Sequence, residues 1–150
     1  MNLSTNQELS SIDALYEAQA SLVCNSVAPS YKERKRKLKA LLKALYHHRE
    51  ELLSALQDDL GKPKLETEVV EFHPTVAELK FALRNLRHWM SERLVSTPLS
   101  HLGSRSRIRV EPKGHCLIIT PWNYPIWLTI APLISAIAAG NRVVIKPSEY

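Results

Sequence analysis

The chain has 150 residues, of which 45% are hydrophobic, and a formal net charge of +5. These values are ordinary for a globular protein with one domain. The spacing of its 4 glycines excludes both a G-x-G-x-x-G loop and a P-loop. The two cysteines, Cys24 and Cys116, lack the spacing of a metal site or a CxxC motif, so we expect a reduced, cytoplasmic protein. The N-terminal residues lack a basic region followed by an apolar region, so we predict no secretory signal.

The first part of the chain is predicted to be helical. Residues 8–27 have apolar side chains at helical spacing, and Ser30 is a candidate N-cap for the helix that follows. Leucines mark an apolar stripe along residues 38–60, which polar residues interrupt at 46–49. We therefore expect two helices or one bent helix, ending at Gly61.

A longer apolar stripe follows and predicts the clearest helix of the chain. Its members are Val69, Phe72, Val76, Leu79, Leu83, Leu86 and Met90. Pro74 should kink this helix or mark its first turn. A coiled coil would need charges at regular flanking positions, and these are missing, so a helix packed across a domain is favoured.

The segment of residues 96–112 is predicted to form a β-hairpin. Polar and apolar side chains alternate along residues 105–111, which indicates a strand with one solvent-facing side. Gly103 gives a turn signal before this strand, which would pair with the segment preceding the turn.

A basic run occupies the start of the second predicted helix. Its cations are Lys32, Arg34, Lys35, Arg36, Lys37, Lys39 and Lys43. Such a run can bind nucleic acid or an anionic membrane, or it can be the solvated side of an amphipathic helix. We favour the solvated side and predict no nucleic-acid partner, because leucines interleave at helical spacing and no aromatic residues alternate with the cations.

Residues 113–150 are predicted to form a β-α-β unit. Two short apolar runs, at residues 116–119 and 143–145, flank an apolar stretch at 126–139. That stretch is too short to span a bilayer, so we predict a buried crossover helix and no membrane span. A right-handed crossover puts the polar turns that follow both strands at one edge of the sheet, where open α/β sheets bind ligands.

Polar side chains in these two turns are the candidate functional groups. Asn123 offers two uncharged N–H donors that could stabilise an oxyanion, although spacing alone favours an Asx-turn residue that only organises the loop. Lys146 and Glu149 could hydrogen-bond to ribose hydroxyls, or they could belong to an exposed loop that opens another helix. The 6 histidines do not cluster at ligand spacing, and no metal site is predicted.

Several motifs together resemble the NAD(P)-dependent aldehyde dehydrogenases. They are PWNYP at residues 121–125, APLISAIAAGN at 131–141 and VVIKPSE at 143–149, with DDLGKP at 58–63 further upstream. The resemblance is strongest to the class-3-like branch, which includes fatty and coniferyl aldehyde enzymes. It implies an α/β fold with N-terminal helices (1–95), a β-hairpin of the oligomerisation type (96–112) and the first βαβ unit (113–150) of a Rossmann-like cofactor domain, which is incomplete here because the catalytic domain is absent.

The resemblance also implies roles for individual residues and a reaction. Asn123 would be the oxyanion-hole side chain in the oxidation of an aldehyde to a carboxylic acid through a cysteine thiohemiacetal. The positions implied at the NAD or NADP site are Ile119, Thr120, Pro121, Trp122, Lys146, Pro147, Ser148 and Glu149.

The nucleophilic cysteine and the general-base glutamate belong to segments that would follow residue 150. We therefore expect this chain alone to be inactive, poorly folded and prone to aggregation. An aldehyde substrate and a homo-oligomer are the implied partners. A non-enzymatic helical interaction module is the main alternative, and a basic nucleic-acid-binding protein is a weaker one.

Overall fold

The computed structural model describes residues 14, 16–19 and 28–149. The described residues among 14–19 are helical. The rest of the helix predicted over residues 8–27 lies outside the described residues. From residue 28 onward the structure contains helices, two small sheets and the turns that join them.

The two N-terminal helices form as the interrupted leucine stripe predicts. Helix α1 (Tyr31–His47) starts at a capping box, in which the Ser30 N–H donates to the Glu33 carboxylate at 2.7 Å. Helix α2 (Arg49–Leu60) follows after a single residue and ends at Gly61, whose φ of 65° is left-handed. The predictions of a break, an N-cap and a glycine stop are confirmed.

The next helical rod changes its winding along its length. It runs from α3 (Lys64–Thr67) through a π-helical segment (Glu68–Phe72) into α4 (His73–Trp89). Pro74 lies in the first turn of α4, as predicted. The expected burial of Val69 is wrong, because the wider π turn shifts the phase of the apolar stripe and leaves this side chain 59% exposed.

A short antiparallel hairpin follows the rod. Strand β1 (Arg93–Val95) pairs with β2 (Ser106–Ile108), so the first strand begins before the predicted 96–112 segment. The expectation of one solvent-facing side is corrected, because Ile108 on the supposed inner side is 45% exposed. No other described element packs against the hairpin closely enough to create an inner face.

The predicted β-α-β unit is confirmed. Strand β3 (His115–Ile119) and strand β4 (Arg142–Lys146) are parallel neighbours, and helix α5 (Pro125–Ala139) connects them. Gly140 ends α5 with a φ of 90°. Among the described residues, no helix is long and apolar enough to cross a membrane.

The core forms where α1, α4 and α5 pack together. Its buried members are Leu38, Leu45, Phe72, Val76, Leu79, Ala82, Leu86, Ile134 and Ala138. Phe72 comes from the π-helical segment and the others come from the three helices. Together they exclude water from the contact between the N-terminal helices and the β-α-β unit. The crossover helix is therefore anchored on one side by the helical region and on the other by its own two strands.

One cation of the basic run is buried in this packing. Arg34 is only 6% exposed, and its guanidinium donates to the Pro29 carbonyl at 2.8 Å and to the Ala138 carbonyl at 3.0 Å. The reading of the whole run as a solvated face is therefore wrong at this position. Arg34 ties the start of α1 to the end of α5, while Lys35, Arg36 and their neighbours stay exposed or half-buried.

One face of the two-stranded β3–β4 sheet is open. Leu117 is 62% exposed and Ile119 is 70% exposed, whereas Ile118 between them is 8% exposed and faces the helices. Alternate residues of a strand point to opposite faces, so this pattern shows one covered face and one uncovered apolar face.

Candidate functional site

The two candidate turns lie side by side at the carboxyl end of the sheet. Ile119 pairs with Lys146 in the parallel register, and the Thr120 N–H donates to the Lys146 carbonyl at 3.1 Å. The turn that bears Asn123 and the turn of residues 147–149 thus leave the same edge of one sheet. The shared edge expected from the sequence is present.

The first turn places its polar residues at different depths. Thr120 is 5% exposed, whereas Asn123 is exposed at the tip of the turn. No described residue forms a hydrogen bond with the Asn123 side chain, so its amide is available to a ligand. Tyr124 follows it and serves as the N-cap residue of α5 without a capping side-chain bond.

The start of α5 is capped instead by a residue from the π-helical segment. The Glu71 carboxylate is fully buried and accepts the Ile126 N–H at 2.9 Å and the Trp127 N–H at 3.4 Å. Its second oxygen lies 2.6 Å from the Lys62 ammonium nitrogen, whose side chain is 10% exposed. A carboxylate at a helix N-terminus satisfies free N–H groups and interacts favourably with the helix dipole.

Lys62 links this buried pair directly to the first turn. Its ammonium nitrogen lies 4.0 Å from the centre of the Tyr124 ring, which is a close cation–π contact. The sequence patterns mark Lys62 only within the DDLGKP motif and its helix stop, and they do not single out Glu71. One signal for Glu71 was available in the sequence. It is an acidic residue beside Phe72 of the apolar stripe, eight positions after the Lys62-Pro63 pair.

The second turn carries an exposed ion pair. Lys146 and Glu149 are joined by a short hydrogen bond between ammonium and carboxylate. That bond, together with the charge of Lys146, holds the pKa of the Glu149 carboxyl below its ordinary value. The carboxylate is therefore ionised at neutral pH and able to accept hydrogen bonds from hydroxyl groups.

A cleft of about 200 Å³ opens between the two turns and the end of α2. It brings together five of the predicted site residues, which are Thr120, Pro121, Trp122, Pro147 and Ser148. The other four, Ile119, Asn123, Lys146 and Glu149, lie at the same sheet edge but do not line this cleft. Within the part of the chain that the structure describes, no group of acidic, cysteine or histidine residues could hold a metal ion.

Comparisons with known proteins point to one family. The family model described as "Aldehyde dehydrogenase family" matches residues 7–150. Aldehyde dehydrogenase family 3 member H1 of Arabidopsis thaliana is 42% identical over 125 residues, which cover 83% of this chain and 26% of the plant protein. The 4,4'-diaponeurosporen-aldehyde dehydrogenase of Staphylococcus aureus is 46% identical over 116 residues, or 77% of this chain and 25% of the relative.

Solved structures give the same result. A substrate-bound AldH of Staphylococcus aureus superposes with a TM-score of 0.83 and 38% identity over 99% of this chain and 31% of that one. An NAD-dependent benzaldehyde dehydrogenase from Corynebacterium glutamicum gives a TM-score of 0.76 and 28% identity, covering 91% and 29%. The chain spans about a quarter of the length of the curated relatives. On its sequence match and its fold alike, the chain belongs to the aldehyde dehydrogenase family.

Proposed function

We propose that this chain supplies the oxyanion donor and one wall of the nucleotide site of an enzyme that oxidises an aldehyde to a carboxylic acid with NAD or NADP. The observation that carries the proposal is the shared sheet edge, where the Thr120 N–H bonds to the Lys146 carbonyl and holds both functional turns together. Family membership supplies the reaction class.

Asn123 is the proposed donor to the developing negative charge. Attack on an aldehyde carbonyl turns its oxygen into an oxyanion, and the exposed Asn123 amide can donate an N–H to that oxygen. The amide carries no charge of its own, so it stabilises the oxyanion without forming an ion pair that would hold the product.

The second turn fits the sugar of a dinucleotide. The Glu149 carboxylate accepts hydrogen bonds and the Lys146 ammonium donates them, which matches the two capacities of a ribose hydroxyl. Pro147 and Ser148 shape this turn beside the cleft, and Trp122 covers the cleft from the other turn. When bound, NAD or NADP supplies the hydride acceptor.

The remaining chemical groups are proposed to come from the part of the family fold that this chain does not cover. Cys116, the free cysteine among the described residues, is half-buried within β3 rather than in either turn. Without a positioned thiolate and a general base no acyl-enzyme forms, so we propose that the chain alone is inactive. A homo-oligomeric assembly and a cytoplasmic location complete the proposal.

A hybrid enzyme tests the function of Asn123. Residues 30–149 of this chain would replace the matching segment of the Staphylococcus aureus relative, and NAD(P)-dependent oxidation of an aldehyde would be followed by nicotinamide reduction. We expect activity in the hybrid and a loss of about 10²–10³-fold in kcat for Asn123→Ala. Asn85→Ala is the matched control, because the Asn85 amide bonds to the Phe81 carbonyl within α4. A hybrid that folds but oxidises no aldehyde contradicts the proposal.

The alternative of a basic nucleic-acid-binding protein has its own test. Retention of the chain on immobilised DNA would be measured across salt concentrations, against a variant with Lys35, Arg36 and Lys37 changed to alanine. If retention depends less steeply on salt concentration in the variant, nucleic-acid binding is supported. If the dependence is unchanged, the nucleic-acid-binding alternative is excluded.

A further inference from the structure

Helix α5 begins without a local cap. Its N-cap residue, Tyr124, has φ −136° and ψ 65° and offers no side-chain oxygen to the free N–H groups of the first turn. Pro125 at the first helical position has no N–H to satisfy. The Ile126 and Trp127 N–H groups are instead bound by Glu71, which is 55 residues away from Ile126 along the chain. The direction in which the chain enters α5 therefore depends on a side chain from the π-helical segment.

The partner of Glu71 fixes the other side of the same junction. Lys62 contacts the Glu71 carboxylate at 2.6 Å and the Tyr124 ring at 4.0 Å, so one ammonium group bridges the helix cap and the residue next to Asn123. Buried ion pairs stabilise a fold little compared with apolar side chains of similar volume. Glu71 nevertheless accepts two N–H groups of α5, and Lys62 contacts both Glu71 and Tyr124, so the pair joins the π-helical segment to the start of α5.

We propose that Glu71 and Lys62 are positioning residues that set the orientation of the Asn123 turn. The inference rests on the proposed function, since it gives the pair a role in presenting the oxyanion donor. Neither side chain touches the proposed substrate position. Both act through Tyr124 and the first turn of α5, and a displacement of about 1 Å in a catalytic group can lower a rate by about 10²-fold.

A double-mutant cycle in the hybrid enzyme tests this role. Glu71→Gln keeps an acceptor for the helix but removes the charge, and Lys62→Met keeps the aliphatic stem. We expect each to lower kcat by about tenfold to a hundredfold while the KM for the aldehyde changes by less than about threefold. In an Asn123→Ala background the same substitutions should lower kcat by less than about twofold, because the group that they position is already gone.

The matched control is Glu68→Gln. Glu68 lies at the start of the same π-helical segment and is also partly buried, but its carboxylate pairs with Arg49 of α2 rather than with α5. We expect this variant to lose stability without the loss in kcat. An equal loss in kcat for Glu68→Gln, or a loss for Glu71→Gln that persists in full without Asn123, would overturn the positioning role.

Hydrogen exchange separates this inference from the proposed function. Amide exchange of a peptide covering residues 122–128 would be compared in the hybrid and its variants. We expect faster exchange in Lys62→Met and Glu71→Gln than in the parent and in Glu68→Gln. Unchanged exchange in both variants overturns the inference whatever the activity. The hybrid could also fold and oxidise no aldehyde while its two variants still exchange faster. In that case the pair orients the turn, and only the proposed function is refuted.

Discussion

At the scale of single residues, the two turns differ in how their polar groups are held. Asn123 has no hydrogen-bond partner among the described residues, while Glu149 already pairs with Lys146. A donor for a transient charge must be free when the charge appears, whereas a group that binds a resident sugar can exchange one partner for another. The contrast between the two turns is consistent with these separate roles.

The Lys146–Glu149 pair predicts a measurable titration. The hydrogen bond from Lys146 lowers the Glu149 pKa, so the interaction is fully present above the ordinary carboxyl pKa and is lost as the pH falls through the lowered value. Lys146→Met should raise the Glu149 pKa towards its ordinary value, as followed by NMR titration of the carboxyl carbon. Lys43→Met, on an exposed part of α1, is the control and should leave it unchanged. An unshifted Glu149 pKa in Lys146→Met would show that the pair does not form in solution.

Two buried charged residues mark the limit of what the sequence could show. Arg34 was hidden in a run of cations, although it lies four residues before Leu38 and therefore on the apolar side of α1. Glu71 lies four residues after Thr67 and four before Thr75, in a second buried row of the rod. Helical spacing could have indicated that Arg34 faces inward, whereas Glu71 lies in the π turn and its row is formed by threonines, which give no apolar signal. Their partners, the end and the start of α5, could not have been found without the tertiary packing.

At the scale of elements, helix starts and stops were predictable because their signals are local. Each signal lies within one turn of the helix end that it marks. The structure has a helix start at Ser30 and helix stops at Gly61 and Gly140. The phase of the rod was predictable from Phe72 to Met90, where the stripe is buried or partly buried. It was not predictable at Val69, because a π turn changes the number of residues in a turn without a composition signal of its own.

The end of α5 gives a prediction about packing between elements. A Cβ on Gly140 would lie 2.6 Å from Arg34 Cζ, whereas a Cβ on Gly103 would meet nothing within 4 Å. Both glycines have φ near 90°, so an alanine at either position carries a similar backbone cost of about 1–2 kcal/mol. Gly140→Ala should also displace Arg34 and reduce the free energy of unfolding by about 1–3 kcal/mol more than Gly103→Ala.

Chemical denaturation of the hybrid enzyme measures both variants. Each alanine also lowers the conformational entropy of the unfolded chain. This contribution to stability is the same for the two substitutions and cancels in the comparison. Equal losses would show that Arg34 moves without cost and that its bonds to the Pro29 and Ala138 carbonyls contribute little to the fold.

At the scale of the whole molecule, the chain forms a packed helical core and a sheet with one uncovered face. The helices α1, α4 and α5 close the core, and the resemblance seen in the sequence motifs extends to the fold because those motifs mark the same β-α-β unit. The degree of strand exposure is greater than an apolar run predicts, since such a run does not show which layers cover the two faces of a sheet.

The uncovered face predicts how the isolated chain behaves. Leu117→Thr combined with Ile119→Thr replaces exposed apolar side chains and should increase the soluble fraction after ultracentrifugation. Ile118→Thr, one residue away but buried, should instead lower the stability by on the order of 2–4 kcal/mol and reduce that fraction. If the double variant is no more soluble than the parent chain, the sheet face is not what drives association.

The cap that Glu71 provides for α5 has a consequence for the order of folding. Isolated helices nucleate poorly, and α5 has no side chain of its own that caps its first turn. We therefore expect α5 to form after the rod has brought Glu71 alongside, which closes a long chain segment before the crossover is complete. The two turns that α5 positions would then be the last part of this protein to form, after the helices that precede them.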